Sequence, residues 1–131
     1  MDESNIQVYR ISLKVLTTSR KRKQKEGGYS MIRGTTPTLE FTLPFDTSLI
    51  AEMYITITQN GATVLEKTLS DCKCSGTSAS LTLTQEDTLR LEQKLYPKSE
   101  MQIRVRTIAG EALASDIMDI HIGRILKEGV I

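Results

Sequence analysis

Apolar and polar residues alternate with a period of two along most of this chain, from about residue 36 to residue 122. Side chains of a β-strand point alternately to opposite faces, so this alternation is typical of strands that bury one face. The pattern predicts six strands, at residues 36–43, 50–59, 62–69, 78–84, 101–106 and 113–122. A chain organised in this way is expected to form sheets rather than a helical bundle.

The turn between the second and third predicted strands carries the strongest local signal, Asn60-Gly61. A type I′ hairpin turn needs positive φ at both central residues, and Asn followed by Gly meets that requirement. We therefore predict a tight hairpin here. Residues 70–77 are a longer polar connection.

A short helix is predicted between the fourth and fifth strands. Thr84 is positioned to cap its N-terminus, and Glu86 and Asp87 would face the positive end of its dipole. This placement explains the two adjacent carboxylates without acid–base chemistry. The buried side of the helix would comprise Leu89, Leu91 and Leu95.

Six strands of similar length, short turns and one helical crossover favour a sandwich over an α/β fold. We predict an all-β fold, an immunoglobulin-like antiparallel β-sandwich with one short helical crossover between its sheets. The chain contains no Trp, and Cys72 and Cys74 are too close for an inter-sheet disulfide. An antibody-type domain is therefore not expected.

The first thirty residues lack the alternating pattern. They carry seven Lys or Arg and three acids, a net of +4, whereas residues 31–131 carry ten and thirteen, a net of −3. The tetrapeptide that starts at Lys25, Lys-Glu-Gly-Gly, can be encoded by a purine-rich ribosome-binding sequence a short spacer before the Met31 codon. We predict a disordered basic leader at 1–30, interpreted as translated upstream sequence, and a β-sandwich domain at 31–131.

Residues 19–25, Ser-Arg-Lys-Arg-Lys-Gln-Lys, are the most basic part of the chain. Such a block is typical of nucleic-acid arms and localisation signals. A solvated tail or translated leader also explains it, and we favour that interpretation. Because the rest of the chain is mildly acidic, we do not expect nucleic acid as a partner, and binding through 19–25 stays an alternative.

No apolar run approaches the ~20 residues that span a bilayer, so no membrane partner is expected. The N-terminus also lacks the pattern of a secretory signal, which predicts a cytoplasmic location at synthesis.

Candidate catalytic and metal-binding residues are few. Asp119 and His121 would share one face of the last strand, but no nucleophile motif accompanies them. With His121, the two cysteines Cys72 and Cys74 would supply at most three zinc ligands, whereas structural zinc normally takes four. We therefore predict no enzyme activity, no cofactor and no metal.

The segment of residues 31–46, Met-Ile-Arg-Gly-Thr-Thr-Pro-Thr-Leu-Glu-Phe-Thr-Leu-Pro-Phe-Asp, resembles the start of small phage and prophage structural proteins of Gram-positive bacteria. It is similar to the opening of the N-terminal β-sandwich domain of phage baseplate upper proteins. Residues 60–61, 81–88 and 102–110 fit the same style, and the likeness covers about residues 31–127. The resemblance implies a non-enzymatic virion structural or assembly protein, associated with the tail or baseplate and located in the bacterial host and then the virion.

Such a protein would bind other virion proteins or itself. We expect contacts through exposed sheet edges and through the apolar C-terminal tail. The candidate interaction residues of the tail are Ile125, Leu126, Val130 and Ile131. The alternative is a bacterial immunoglobulin-like module that binds a ligand through the loops at 60–61 and 71–77.

Overall fold

A computed structural model of the protein describes residues 12–16, 28–93 and 98–131, which form two sheets and one short helix. The strands of the described residues are β1 (Ser12–Leu16), β2 (Gly28–Ile32), β3 (Thr38–Thr42), β4 (Ile50–Gln59), β5 (Ala62–Thr68), β6 (Lys73–Ser75), β7 (Ser78–Thr82), β8 (Ser99–Thr107), β9 (Ala112–Ala114) and β10 (Met118–Gly123). The helix is α1 (Gln85–Leu89), and short 3-10 turns occur at Thr47–Leu49 and Leu69–Asp71.

The strand order is that of an immunoglobulin fold. The first sheet runs β1-β3-β7-β6, and the second runs β2-β10-β8-β4-β5, with β9 also paired to β8. One sheet of that fold has the strand order A-B-E-D, which matches β1-β3-β7-β6. The other contains G-F-C, which matches β10-β8-β4. The predicted immunoglobulin-like sandwich is thus confirmed, and α1 carries the chain from one sheet to the other as predicted. One detail differs, because β2 pairs with β10 in parallel rather than antiparallel.

The core lies between the sheets and is built from the inward residues of the alternating strands. Phe41 and Leu39 on β3 are fully buried, as is Ile103 on β8 of the opposite sheet. Full burial of one such side chain contributes about 1.5–3 kcal/mol. Other core residues are Met31, Leu43, Ile50, Met53, Ile55, Ile57, Leu65, Ala79, Leu81, Leu83, Leu91, Met101, Val105, Met118, Ile120 and Ile122.

All six predicted strands are present close to their expected positions. The Asn60-Gly61 turn has φ values of 57° and 80°, as a type I′ turn requires. The predicted connection at 70–77 is more ordered than expected, because it contains part of a 3-10 turn and the short strand β6. The helix is shorter than expected: it ends at Leu89, and Leu91 is buried beyond its end. The predicted helix residue Leu95 lies outside the described residues.

The last predicted strand is interrupted. Its pairing with β8 shifts by one position between β9 and β10. Ser115 lies at this bulge, where its hydroxyl accepts a hydrogen bond from Ile103 N at 3.0 Å and donates to Asp116 O at 2.9 Å. An unbroken strand over 113–122 would place Asp116 on the same face as Met118, but Asp116 is exposed and Met118 is buried.

The sandwich also includes strands upstream of Met31. Strand β1 pairs with β3, and β2, which begins at Gly28, pairs with β10. Met31 lies within β2 and is 2% exposed in the core. Strands β1 and β2 thus place residues upstream of the predicted domain boundary at Met31 in the same sheets as residues that follow it. That residues 1–30 are translated upstream sequence stays a prediction, and residues 1–11 and 17–27, with the basic segment 19–25, lie outside the described residues.

Strand β4 separates two ends of the sandwich. Its ten residues, at about 3.3 Å each, span ~30 Å. At one end, Asn60 N donates to Lys98 O at 3.2 Å, just before β8. We call this the α1 end, because α1 and the residues after β10 lie there. At the opposite end, Ile108 N donates to Leu49 O at 2.9 Å.

Candidate interaction site

Three segments that are distant in sequence meet at the α1 end. They are the turn after β2 (residues 33–35), helix α1, and residues 124–131, which we call the tail. The turn and the tail start together, because Arg33 N donates to Gly123 O at 3.0 Å at the ends of β2 and β10. Thr88 of α1 donates its hydroxyl proton to Thr35 O at 2.8 Å, which joins the helix to the same turn.

Arg33 joins all three segments. Its Nε donates to Leu91 O at 2.7 Å and its Nη2 donates to Leu89 O at 3.1 Å. Carbonyls at the C-terminal end of a helix lack helical partners and carry partial negative charge, so a guanidinium suits them. Nη1 lies 2.9 Å from both carboxylate oxygens of Glu128 in the tail. The Arg33 side chain is 18% exposed and that of Glu128 is 62% exposed. The hydrogen bonds from Arg33 to the helix carbonyls are therefore better shielded from water than its ion pair with Glu128.

Gln85 holds the end of the tail. Its side-chain Nε2 donates to Ile131 O at 3.0 Å, and Ile131 N donates to its Oε1 at 2.8 Å. The amide thus pairs with the backbone of Ile131 as a neighbouring strand would. Because the contact uses only backbone atoms of Ile131, it leaves that side chain free to project outward.

Gly34 provides the space into which the tail packs. Its φ is +76°, which favours glycine, and a Cβ added there would lie 3.0 Å from Ile125 Cδ1 and 3.5 Å from Leu89 Cδ2. Ile125 is only partly exposed. Ile125 is therefore an anchor of the tail against the turn and the helix.

The other three predicted interaction residues are at the surface. Leu126 is 90% exposed, Val130 is 53% exposed and Ile131 is 89% exposed. Large apolar side chains this exposed are costly to leave in water when several occur on one short segment. The tail therefore divides into anchoring groups and an apolar surface that faces solvent. We call Leu126, Val130 and Ile131 the tail surface.

The N-terminus of α1 is fixed from the other side. The Thr84 hydroxyl accepts a hydrogen bond from Asp87 N, and Asp87 Oδ2 accepts one from Thr84 N, both at 3.0 Å. Asp87 Oδ2 also lies 3.1 Å from Lys67 Nζ on β5. Burial raises the pKa of Asp87, but the hydrogen bond from Thr84 and the Lys67 ammonium together outweigh it and hold that pKa below its ordinary value. The predicted cap is confirmed, and Asp87 has a structural role in it.

The remaining candidate chemical groups are dispersed. Cys72 is half-buried with Sγ 3.6 Å from Thr68 O, and Cys74 is exposed on β6 in the first sheet. Burial, with contributions from Cys74 and Asp71, raises the pKa of the Cys72 thiol to about 11. His121 is exposed on β10 in the second sheet. Among residues 12–16, 28–93 and 98–131, no three His, Cys, Asp or Glu side chains are grouped to hold a metal ion.

The two loops of the alternative ligand-binding interpretation lie apart. The turn at 60–61 is at the α1 end, whereas Gly76 accepts a hydrogen bond from Thr47 N at 2.8 Å at the opposite end. The loops are thus separated by the length of the sandwich and do not form one surface. Within the described part of the chain, no helix is long and apolar enough to cross a membrane.

Sequence reasoning missed Arg33 and Gln85, the two residues that hold the tail. Their partners Glu128 and Ile131 are 95 and 46 positions away. A single sequence carries no signal for pairs at that separation. The apolar residues of the tail, by contrast, could be recognised from composition alone.

Comparison with known proteins adds no assignment. No protein-family profile matches the chain. No curated protein matches it either.

Proposed function

We propose that this protein is a non-enzymatic structural or assembly protein of the phage or prophage type, and that it binds a protein partner through the tail surface. The observation that carries the proposal is the pairing of anchors with exposed apolar groups. Arg33 and Gln85 bind the tail and the Ile125 side chain packs at Gly34, while Leu126 and Ile131 present their side chains to solvent. This is the arrangement of a surface ordered before its partner arrives.

A tail that is already ordered in the free protein loses less conformational entropy when a partner binds. Immobilising one flexible side chain at an interface costs about 0.5–1.5 kcal/mol, and ordering a loop costs more. The anchored tail bears part of that cost within the free protein. Burial of its apolar area by a partner then contributes about 25 cal/mol per Å².

A protein surface is the partner that fits this chemistry. The tail surface is apolar, and its neighbours in sequence are charged. Arg124 and Lys127 are basic, and Glu128 is acidic. Protein interfaces commonly combine an apolar centre with a charged rim. The virion assignment itself rests on the resemblance of residues 31–46 to phage structural proteins.

The test compares two pairs of exposed apolar residues. Leu126→Asp with Ile131→Asp changes the tail surface, and Leu49→Asp with Ile108→Asp changes the opposite end, where the side chains are 42% and 65% exposed. Each variant is produced in cells that make the candidate particles, and its amount in purified particles is measured by mass spectrometry. We expect the tail variant to be depleted at least about tenfold, and the control to be incorporated normally.

Point substitutions are preferable to removal of residues 124–131, because removal also deprives Arg33 of Glu128. Equal incorporation of the two variants would contradict the role of the tail. Gene order gives a separate check on the virion assignment. Neighbouring capsid, portal or tail genes would support it, and a neighbourhood without them would count against it.

A further inference from the structure

The outer face of the second sheet is basic at one end. Core residues and outward residues alternate along the paired strands β4 and β8. Toward the end opposite α1, the outward residues include Tyr54, which is 39% exposed, and two exposed arginines, Arg104 and Arg106. We call these three residues the basic patch. Tyr and Arg are among the residue types enriched at the energetically dominant positions of protein interfaces.

Nearer α1, the same face is acidic. Asp119 on β10 lies directly opposite Glu100 on β8, and like charges in such positions repel each other. Asp116 is exposed in the bulge between β9 and β10. We call Glu100, Asp116 and Asp119 the acidic patch. None of the three takes part in the ion pairs of the described residues, so a cation from another molecule would relieve their repulsion.

An apolar side chain lies between the two patches. Ile117 is 58% exposed, and it points away from the core because the next residue, Met118, is buried. Beside the arginines on the neighbouring strand β9 are two exposed small residues, Ala112 and Ala114. The face therefore has an apolar centre between charged ends, as protein interfaces commonly do.

We propose that this face binds the same face of a second copy of this chain, around a twofold axis that crosses β8 at Ile103. The axis lies between the two sheets and perpendicular to their strands, so the two copies of β8 run antiparallel. Arg106 then faces Glu100 of the second copy. Arg104 faces the bulge that carries Asp116 of the second copy. Each contact occurs twice, because the interface is symmetric.

This charge complementarity identifies a second copy as the occupant. Ile117 faces Ala114 of the second copy, whose small side chain leaves room for it. Sheets packed face to face lie ~10 Å apart with their strands within about 30° of each other, a gap that opposed side chains fill.

The remaining charges of the face do not oppose this arrangement. Glu52 pairs with Arg106 of its own chain at 3.3 Å, but both side chains are about half exposed, so that ion pair is weak and Arg106 remains available to the second copy. Glu66 on β5 and Lys98 before β8 lie toward the margins, where water and salt screen them.

The size of the face predicts a weak dimer. At ~4.8 Å between strands, it covers roughly 600 Å² per copy, somewhat less than the ~800 Å² that each partner contributes to a standard interface. We therefore expect an equilibrium between monomer and dimer that depends on protein concentration and is weakened by salt.

The test mixes two charge-reversal variants of the full chain. Asp116→Arg alone places two cations at each contact with Arg104, and Arg104→Glu alone places two anions there. A dimer with one chain of each kind regains opposite charges at both contacts. Sedimentation velocity over a range of protein and salt concentrations measures the dimer. Lys73→Glu, which is exposed on β6 of the first sheet, is the matched control.

We expect the native chain to dimerise with increasing concentration, and the dissociation constant of each variant alone to rise at least about tenfold. The equimolar mixture should recover the dimer, and Lys73→Glu should behave as the native chain does. Circular dichroism checks that each variant is folded. Arg104→Gln, a milder change, should also weaken the dimer and replaces Arg104→Glu if the reversal unfolds the chain.

Three outcomes would overturn the proposal. They are a native chain that stays monomeric up to about 1 mM, variants that dissociate no more than Lys73→Glu, and a mixture that does not recover the dimer. The variant with Leu126→Asp and Ile131→Asp should dimerise normally, because the tail surface lies outside this face. Failure of the dimer and failure of the tail proposal are therefore distinguishable.

Discussion

The guanidinium of Arg33 lies 2.9 Å from both carboxylate oxygens of Glu128, a residue 95 positions later in the chain. Through the same side chain, the end of β2 is joined to the carbonyls of Leu89 and Leu91. One residue thus connects the tail to α1 and to the second sheet. The energetic weight of these contacts differs, and substitution can separate them.

Arg33→Ala is expected to lower the free energy of unfolding by about 1–2 kcal/mol, because two shielded carbonyls lose a charged donor. Glu128→Ala should cost under about 1 kcal/mol, since its carboxylate is mostly exposed. Urea denaturation measures both. Arg106, which pairs with Glu52 at 3.3 Å with both side chains about half exposed, provides the control. Arg33→Ala no more destabilising than Arg106→Ala would contradict the proposed role.

Gly34→Ala tests the packing of Ile125. The added Cβ meets Ile125 Cδ1 at 3.0 Å and also adopts an unfavourable φ of +76°. Gly61→Ala is matched in backbone, with φ of +80°, but its Cβ meets no atom within 4 Å among the described residues. Both variants should lose on the order of 1 kcal/mol from backbone strain. We expect a further loss in Gly34→Ala, which Ile125→Ala should partly relieve; thermal unfolding of the variants and of the double variant measures the difference.

Acid should destabilise the protein partly through Asp87. Its pKa in the folded protein lies below the ordinary value of 3.8, so its contribution is present above that value and is lost as the pH falls through the folded pKa. The free energy of unfolding should thus fall below about pH 4. Asp87→Asn should flatten this part of the profile, measured by denaturation from pH 2 to pH 7. Hydrogen bonds from the backbone and side chain of Ser48 also lower the pKa of Asp46, so Asp46 contributes to stability in the same pH range. Asp46→Asn therefore provides a comparison.

The two cysteines should react at very different rates. With a pKa of about 11, the Cys72 thiol is roughly one part in a thousand ionised at pH 8, and only the thiolate reacts readily. Cys74 is exposed. We expect one rapid alkylation at pH 8, abolished by Cys74→Ser, and a second only after unfolding. Rapid labelling of Cys74→Ser at pH 8 would contradict the raised pKa of Cys72.

A chain that begins at Met31 should be less stable than one that begins at Ser12. It lacks β1 and the first three residues of β2, so β3 and β10 lose backbone partners. Each lost hydrogen bond contributes about 1 kcal/mol. Urea denaturation of the two chains provides the comparison. Equal stability would support the domain boundary that the sequence predicts at Met31.

The predictable part of this protein is its local alternation. Strands such as β4 and the Asn60-Gly61 turn were predicted because period and turn chemistry act within a few residues. Pairings between distant residues could not be predicted in this way. Strand β1 has little pattern of its own and depends on β3, and Arg33 has no local feature that indicates Glu128. For the tail, the apolar residues were predicted but their division into anchor and exposed surface was not, because the Gly34 packing space depends on tertiary contacts.

The bulge at Ser115 also limits how this chain can change in length. Before the bulge the inward residues are Leu113 and Ser115. After it they are Met118, Ile120 and Ile122, so the alternation is shifted by one residue. One extra residue thus lies in the bulge, between the two regularly alternating stretches. Removing that one extra residue would restore an unbroken alternation and leave Met118, Ile120 and Ile122 facing inward. The bulge is therefore a place where this segment can lose one residue without inverting the strand that leads to the tail, whereas loss of one residue from an unbroken strand exchanges its inner and outer faces.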